Sequence, residues 1–239
     1  LQGAYFPKLL ETQPALWEFF QVERQGEIEI ESNGSYFAVR MIPIMLRAWR
    51  RGSLVIITDI TERKKYEQQL IRQATIDDLT QLYNRRHFMK LMEKGLRTSR
   101  HTGEPISLLL IDVDYFKQIN DTYGHWVGDR VLEHFALLLK ESFTEREAIG
   151  RVGGEEFAVL LPGSTEQMAY ERAEMLRLQV QREPMRMLEL PIEVSYTISV
   201  GVAELKEAHK LLEEWYQEVD VALYESKRKG RNRTTVVNW

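Results

Sequence analysis

The segment Ile106–Val113 constrains the fold more than any other part of the chain. It is a nearly unbroken apolar run of strand length, typical of a central strand that is buried on both faces. Helix and strand patterns alternate around it, and Asn84 is placed to cap a helix just before it. The further predicted elements are helices at 131–139, 165–182 and 208–229 and strands at 148–152, 157–161, 192–203 and 234–237. The predicted fold class is therefore α+β, with helices packed against a mainly antiparallel sheet.

The first sixty residues show a different pattern, typical of a small strand-rich unit. Alternating charged and apolar residues predict a strand at 27–31, and Asn33-Gly34 is a hairpin turn signal. Two further strands are predicted at 36–46 and 53–60, separated by a polar turn at 47–52 and preceded by a short helical stretch. About sixty residues is marginal for an independent core.

Residues 61–75 are charged, lack Gly and Pro, and favour a connecting helix. Tyr66, Leu70 and Ala74 fall at helical spacing and form a narrow apolar stripe. Such a stripe suits pairing with a second copy of the helix, and a solvated linker helix remains the alternative.

Composition excludes several classes of protein. Thirty-two Lys and Arg against 36 Asp and Glu give a net charge of −4, which argues against a general nucleic-acid binder. The absence of Cys excludes a disulfide framework, a thiolate nucleophile and Cys-bound zinc. No apolar run approaches the roughly 20 residues of a membrane span. Because the chain begins with Leu, we expect a piece of a longer protein, cytoplasmic itself, whose parent could be membrane-anchored.

Two acidic segments are candidates for metal chemistry. Asp112-Val113-Asp114 ends the buried strand, and two carboxylates with a carbonyl between them suit Mg²⁺. Turn hydrogen bonds are the alternative for these acids. Gly153-Gly154-Glu155-Glu156 lies between two predicted strands, where adjacent acids repel unless a cation neutralises them. The alternative for this segment is a solvated hairpin.

Two further segments suit a nucleotide. Lys227 and Arg231 are four residues apart, so one helical turn would present both cations to a polyphosphate; the alternative is a basic turn that complements the helix dipole. In the segment 116–129, an Asn such as Asn120 and an Asp together offer the mixed donors and acceptors that a guanine edge requires, and Lys117 could contact phosphate. Asp129 fits an N-cap as well as a guanine contact. The chain has no P-loop and no G-x-S-x-G motif, and its five His show no metal-ligand spacing.

Together these segments resemble the GGDEF family of diguanylate cyclases over about residues 76–239. Residues 151–157 read Arg-Val-Gly-Gly-Glu-Glu-Phe, the GGEEF form of the family signature. Three other stretches carry the resemblance: 77–86 (D-x-L-T-G-L-x-N-R-R, with Gln81 for Gly), 112–121 (D-x-D-x-F-K-x-x-N-D) and 222–232 (A-L-Y-x-A-K-x-x-G-R-N, with Ser226 for Ala).

The resemblance implies a cation site. Asp112, the Val113 carbonyl and Glu155 would hold Mg²⁺, with Mn²⁺ as a possible substitute. Glu156 would bind the metal or help to deprotonate the attacking ribose 3′-hydroxyl, and these two roles stay open.

The resemblance also implies how substrate is held. Asn120 and Asp129 would read guanine. The triphosphate would be held by Lys117, Lys227 and Arg231, with the backbone at Tyr115 and Phe116. Two facing domains, each with one GTP, would form cyclic di-GMP and pyrophosphate, so a homodimer is expected.

Two features outside the site complete the prediction. Residues 1–60 resemble the C-terminal half of a PAS domain, and Asp59-Ile60-Thr61-Glu62-Arg63 resembles the usual PAS-to-helix junction. The family's R-x-x-D product-inhibition motif is replaced here by Thr144-Glu145-Arg146-Glu147, which predicts no feedback at that segment. The competing hypothesis is a non-catalytic GTP-binding or dimerisation module that transmits a PAS signal, while a bare PAS interaction module leaves the C-terminal motifs unexplained.

Overall fold

The structure is a computed structural model that describes residue 19 and residues 26–46, 49–187 and 192–236, without the side chains of residues 45, 46 and 49–51. The chain divides into two compact units, Leu1–Arg72 and Gln73–Trp239. Within the described residues, no helix is both long enough and apolar enough to span a membrane.

The first unit contains an antiparallel sheet of three strands in the order β1-β2-β3. Its strands are β1 (Gly26–Ser32), β2 (Ser35–Leu46) and β3 (Trp49–Asp59). Asn33 and Gly34 join the first two with positive φ values of 51° and 74°, as a tight hairpin requires. The third strand begins at Trp49, so the predicted polar turn at 47–52 is largely strand. The helical stretch predicted ahead of β1 lies almost entirely outside the described residues.

The helix α1 (Thr61–Thr75) follows β3 and is anchored to the sheet at its start. The Asp59 carboxylate accepts from the Thr61 backbone N–H at 2.9 Å, and the Thr61 hydroxyl accepts from the Tyr36 backbone N–H at 2.8 Å. None of its residues is buried, and Tyr66 and Leu70 are each 65% exposed. The predicted apolar stripe is therefore open to solvent in this chain.

A six-stranded sheet in the order β11-β10-β5-β7-β6-β4 forms the centre of the second unit. The three inner pairings are antiparallel and the two edge pairings are parallel, which fits the predicted α+β class. All eight residues of β5 are buried. The strands are β4 (Tyr83–Asn84), β5 (Ile106–Val113), β6 (Ala148–Arg151), β7 (Glu156–Pro162), β10 (Ile198–Glu204) and β11 (Arg233–Val236).

Helices cover both faces of this sheet. They are α2 (Arg85–Thr102), α3 (Phe116–Tyr123), α4 (His125–Ser142), α5 (Glu166–Arg182) and α6 (Leu212–Arg228), and a hairpin of β8 (Met185–Arg186) and β9 (Glu193–Val194) lies outside the sheet. Successive residues of β5 alternate between two apolar clusters: Leu109 and Ile111 face α3, α4 and α5, whereas Leu108 and Leu110 face α2 and α6. This two-sided burial explains the unbroken apolar run.

The local predictions hold at some boundaries and fail at others. Asn84 caps α2, because its side chain accepts from the His87 backbone N–H. Asp129 does not cap α4, which begins four residues earlier after Gly124 (φ 86°). The strand predicted at 192–203 is broken into β9 and β10, and the helix predicted from residue 208 begins at Leu212.

Candidate functional site

The acidic segments meet where β5 ends beside the start of β7. Asp112 lies directly opposite Glu156 in the antiparallel register, so both side chains emerge on the same face. The Val113 backbone N–H donates to the Glu155 carbonyl at 3.2 Å, and the Val152 backbone N–H donates to the Glu156 carbonyl at 2.9 Å. Strand pairing therefore brings together residues that are 42 to 44 positions apart in the chain.

Asp112 is buried and forms an ion pair with Lys227 of α6, whose Nζ lies 2.7 Å from Oδ2. Burial, together with the negative charges of Glu155 and Glu156, raises the pKa of Asp112 to about 6 in spite of the opposing Lys227 ammonium. The three carboxylates therefore interact electrostatically, and ionising all of them requires nearby positive charge.

Glu155 is half-buried and Glu156 is exposed. The Glu156 side chain lies across Gly153, where an added Cβ would stand 2.3 Å from its Oε2. Among the described residues, no cluster of three metal-ligating side chains is already assembled. The donor set nevertheless fits a hard divalent cation, since it consists of carboxylates whose mutual repulsion already perturbs Asp112.

Asp114 does not join this acidic group. It is 2% exposed, and three donors occupy its oxygens: the Thr197 hydroxyl at 2.7 Å, the Ser199 hydroxyl at 2.6 Å and the Asn232 backbone N–H at 3.0 Å. The alternative interpretation of the sequence, in which strand-end acids make structural hydrogen bonds, applies to Asp114.

The two cations predicted on one helical turn are placed differently. Lys227 lies in the last turn of α6, which ends at Arg228, whereas Arg231 lies beyond the helix with a positive φ of 63°. The Arg231 guanidinium stacks over the Tyr115 ring at 4.5 Å from the ring centre. Lys227 and Arg231 are thus directed by Asp112 and Tyr115 respectively, both at the end of β5.

The candidate guanine-binding residues lie where α3 packs on α4. A Cβ added at Gly128 would stand 1.9 Å from Asn120 Oδ1, so a glycine is needed there for Asn120 to fit. This oxygen is buried without a hydrogen-bond partner among the described residues, so the described protein groups leave its hydrogen-bonding capacity unused. Asp129 follows Gly128 directly and is half-buried, while Lys117 is exposed on α3.

Arg151 is a structural residue of the site that the sequence analysis did not single out. Its guanidinium donates to the Gly154 carbonyl at 2.7 and 3.0 Å and pairs with Asp77 at 3.2 Å. It thereby fastens the Gly153-Gly154 turn to the 77–86 segment, where Gln81 takes the positive φ of 55° that usually favours Gly. The sequence offered one indication of this role, because Arg151 is the first residue of the Arg-Val-Gly-Gly-Glu-Glu-Phe signature.

This fold and site define a nucleotide-processing domain of the GGDEF class, and comparison with known proteins assigns the family. The family described as "Diguanylate cyclase, GGDEF domain" matches residues 74–233. Diguanylate cyclase DgcM of Escherichia coli strain K12 is 41% identical over 180 residues, which are 75% of this chain and 42% of DgcM. The chain belongs to the GGDEF diguanylate cyclase family and spans less than half the length of this relative.

Two solved structures are similar to this chain. The coiled coil and GGDEF domain of DgcB from Caulobacter crescentus, in complex with c-di-GMP, has a TM-score of 0.70 and 30% identity, covering 74% of this chain and 93% of that one. The active GGEEF domain of a diguanylate cyclase from Vibrio cholerae has a TM-score of 0.62 and 32% identity, covering 66% of this chain and 99% of that one.

Proposed function

We propose that this chain is an active diguanylate cyclase that condenses two GTP molecules into cyclic di-GMP and two pyrophosphates. The observation that carries the proposal is the acidic group of Asp112, Glu155 and Glu156 at the β5–β7 end, with Lys227 beside it. The Vibrio cholerae domain supports it further, because that active enzyme has the same Glu-Glu signature.

The proposed reaction consists of two equivalent steps across a dimer. In each step the ribose 3′-oxygen of one GTP attacks the α-phosphorus of the other. The new P–O bond forms as the bond to the β-phosphate oxygen breaks, and pyrophosphate leaves with that electron pair. The 3′-hydroxyl proton passes to a base, for which Glu156 is the exposed candidate, its alternative role being metal ligation.

Substrate recognition in this proposal follows the predicted residues. Asn120 and Asp129 bind the guanine edge, and the buried, unpartnered Asn120 oxygen supports this role. Phosphate oxygens are bound by the cations Lys117, Lys227 and Arg231, with backbone N–H groups at Tyr115 and Phe116. Lys227 has three donors, so its contact with Asp112 leaves two for phosphate.

Asp112, the Val113 carbonyl and Glu155, with Glu156 as a further candidate, would hold Mg²⁺ or Mn²⁺. When bound, the ion supplies positive charge for the phosphates and the attacking oxygen. Lys227 keeps Asp112 oriented at the strand end, and Gly153 leaves room for the Glu156 side chain to lie beside it.

The first unit and α1 form the regulatory part of the proposal. We propose that residues 1–60 are part of a PAS sensor, that residues 61–75 transmit its state, and that residues 76–239 are the catalytic domain. The small antiparallel sheet and the exposed Tyr66 and Leu70 support this organisation. The homodimer would form through the PAS part, the connecting helix and the facing catalytic domains, in the bacterial cytoplasm where GTP is available.

We further propose that product does not inhibit through residues 144–147. The Glu147 carboxylate accepts from the Thr144 backbone N–H and hydroxyl, each at 2.7 Å, and pairs with Arg172 at 2.7 Å. No Arg stands at the first position to grip a product phosphate. Tight cyclic di-GMP binding to an inactive variant, lost on mutation of this segment, would contradict this.

The deciding experiment incubates the purified full chain with GTP and Mg²⁺ and separates the products by chromatography, after its dimeric state has been confirmed by light scattering. We expect cyclic di-GMP and pyrophosphate in a 1:2 ratio, and neither product when EDTA is present. A confirmed dimer that binds GTP without turning it over would instead support the non-catalytic module.

A further inference from the structure

Asp114 is a buried acid that the proposed mechanism does not use. Its Oδ2 accepts from the Thr197 hydroxyl and the Asn232 backbone N–H, and its Oδ1 accepts from the Ser199 hydroxyl. In addition, its own backbone N–H donates to the Thr197 carbonyl at 2.9 Å. Hydrogen bonds to a buried carboxylate are among the stronger ones in proteins, so Asp114 ties the turn that follows α6 to the ends of β5 and β10.

The tethered turn has an unfavourable backbone conformation. Gly230, Arg231 and Asn232 have consecutive positive φ values of 113°, 63° and 46°. A non-glycine residue in this region costs about 1–2 kcal/mol and persists only where its surroundings impose it. Besides Asp114, the turn is fixed by the Arg231 backbone N–H, which donates to the Ser226 carbonyl at 3.0 Å, and by Arg177, which donates to the Asn232 side chain at 2.8 Å.

The same turn sets the position of Arg231. Its guanidinium stacks on Tyr115, the residue that follows Asp114 in the chain, and Tyr115 itself has a positive φ of 57°. Asp114 therefore holds both partners of the stack: it binds the turn that carries Arg231 through its side chain, and it is covalently joined to Tyr115. Among the described hydrogen bonds of the turn, the one from the Asn232 backbone N–H to Asp114 is the bond that reaches the end of β5.

We propose that Asp114, with Thr197 and Ser199, is a positioning residue that holds Arg231 on the triphosphate side of the site. The inference rests on the proposed function, because that function makes Arg231 a phosphate contact. It assigns Asp114 no contact with metal or substrate. Loss of the tether is expected to weaken binding of the phosphates and to leave binding of the nucleoside unchanged.

The test compares two changes at the half-buried Thr197. Thr197→Val keeps the shape and removes the hydroxyl, whereas Thr197→Ser keeps the hydroxyl and removes a methyl group. Binding is measured calorimetrically for 3′-deoxy-GTP, which lacks the attacking hydroxyl, and for 3′-deoxyguanosine, which lacks phosphates. We expect Thr197→Val to weaken the binding of 3′-deoxy-GTP about tenfold, as for one lost charge-assisted contact. Its affinity for 3′-deoxyguanosine should be unchanged. Thr197→Ser should bind both ligands about as tightly as the parent protein.

A second pair controls for general loss of stability. Ser199→Ala and Ser107→Ala each remove the hydroxyl of a fully buried serine, and Ser107 donates to the Ser164 carbonyl at 2.9 Å at the other end of β5. Only Ser199→Ala should weaken the binding of 3′-deoxy-GTP more than the binding of 3′-deoxyguanosine. Equal weakening of nucleotide and nucleoside, or equal effects of Val and Ser at position 197, would overturn the positioning role.

A third pair does not depend on buried residues. Tyr115 and Tyr123 are 52% and 46% exposed at the two ends of α3. Tyr115→Leu removes the surface on which Arg231 stacks and should weaken the binding of 3′-deoxy-GTP about threefold. Tyr123→Leu should leave this binding unchanged. Because these are binding measurements, they remain decisive if the chain makes no cyclic di-GMP, a result that would count against the proposed function alone.

Discussion

Two buried acids, each paired with a lysine, lie at opposite ends of the second unit. At one end, Glu218 of α6 accepts from Lys206 at 2.9 Å and contacts His209 at 2.5 Å, and the other His209 nitrogen accepts from the Lys206 backbone N–H. At the other end, Asp112 contacts Lys227, but the carboxylates of Glu155 and Glu156 beside it have no hydrogen bond or ion pair within the described structure. The Glu218 cluster is satisfied internally and locks a loop to a helix, whereas the Asp112 cluster keeps unsatisfied charge.

Backbone strain is divided between the two ends in the same way. Beside the Glu218 cluster, the positive-φ positions of the neighbouring turns are glycines, Gly103 and Gly163. Beside the Asp112 cluster, Gly124 and Gly230 are joined at such positions by four larger residues: Gln81, Tyr115, Arg231 and Asn232. Strained backbone and unsatisfied charge both cost stability, and their coincidence at one end is typical of a functional site.

The largest effect is expected for Glu156→Gln. Removing one charge from an exposed side chain leaves the fold intact, so the free energy of unfolding should change by less than about 0.5 kcal/mol. Turnover should fall about 10²- to 10⁴-fold, the usual contribution of a positioned acid or base. Product formation and denaturant unfolding are measured on the same preparation. Unchanged turnover would show that Glu156 takes no part in the mechanism. The unsatisfied charge at the Asp112 end would then not mark a functional site.

The next effect concerns the pH dependence of stability. Because the pKa of Asp112 is raised from 3.8 to about 6, the folded state binds more protons than the unfolded state between these values. The contribution of Asp112 to the free energy of unfolding is therefore fully present below about pH 4. It decreases by up to about 3 kcal/mol as the pH rises through 6. Denaturant unfolding from pH 4.5 to 7.5 should show the free energy of Asp112→Asn rising relative to that of the parent protein.

Parallel pH curves for Asp112→Asn and the parent protein would contradict the raised pKa of Asp112. Groups with lowered pKa, such as Asp77 and Glu147, lose stability as pH falls and are common to both proteins, so they cancel in the difference. The cation site adds a second measurement: at pH 7.5, millimolar Mg²⁺ should stabilise the parent protein more than Asp112→Asn.

How much of this site is visible in the sequence depends on the range of the interactions. The Asn84 cap and the end of the buried strand at Asp112 are local patterns, and both were predicted. The structural role of Asp114 depends on Thr197 and Ser199, which are 83 and 85 residues away, so alternation within β5 could not separate Asp114 from Asp112. The placement of Arg231 failed for a related reason, because a helical spacing argument assumes that the helix continues past Arg228.

Glu218→Gln is the counterpart of Glu156→Gln at the satisfied end. It replaces a buried carboxylate that is held by Lys206 and His209, and we expect a loss of about 2 kcal/mol in the free energy of unfolding. Turnover per folded molecule should stay within about twofold, because the cluster lies beside the opposite end of the sheet. If turnover fell as it does for Glu156→Gln, the assignment of function to one end only would fail.

The smallest effect concerns the strained turns and uses a reciprocal pair. Gln81 (φ 55°) lies beside the Asp112 cluster and Gly163 (φ 72°) beside the Glu218 cluster, and a Cβ added at Gly163 would meet nothing within 4 Å. Gln81→Gly should therefore stabilise the protein by about 0.5 kcal/mol, less than the full left-handed penalty because glycine adds entropy to the unfolded chain and loses the Gln81 side-chain hydrogen bond to the Asp78 carbonyl. Gly163→Ala should destabilise it by about 1 kcal/mol. Both changes should leave turnover unaltered, since neither residue belongs to the proposed metal, base or substrate contacts. Reduced turnover in Gln81→Gly alone would mean that the strained turn itself sets the geometry of Glu155 and Glu156.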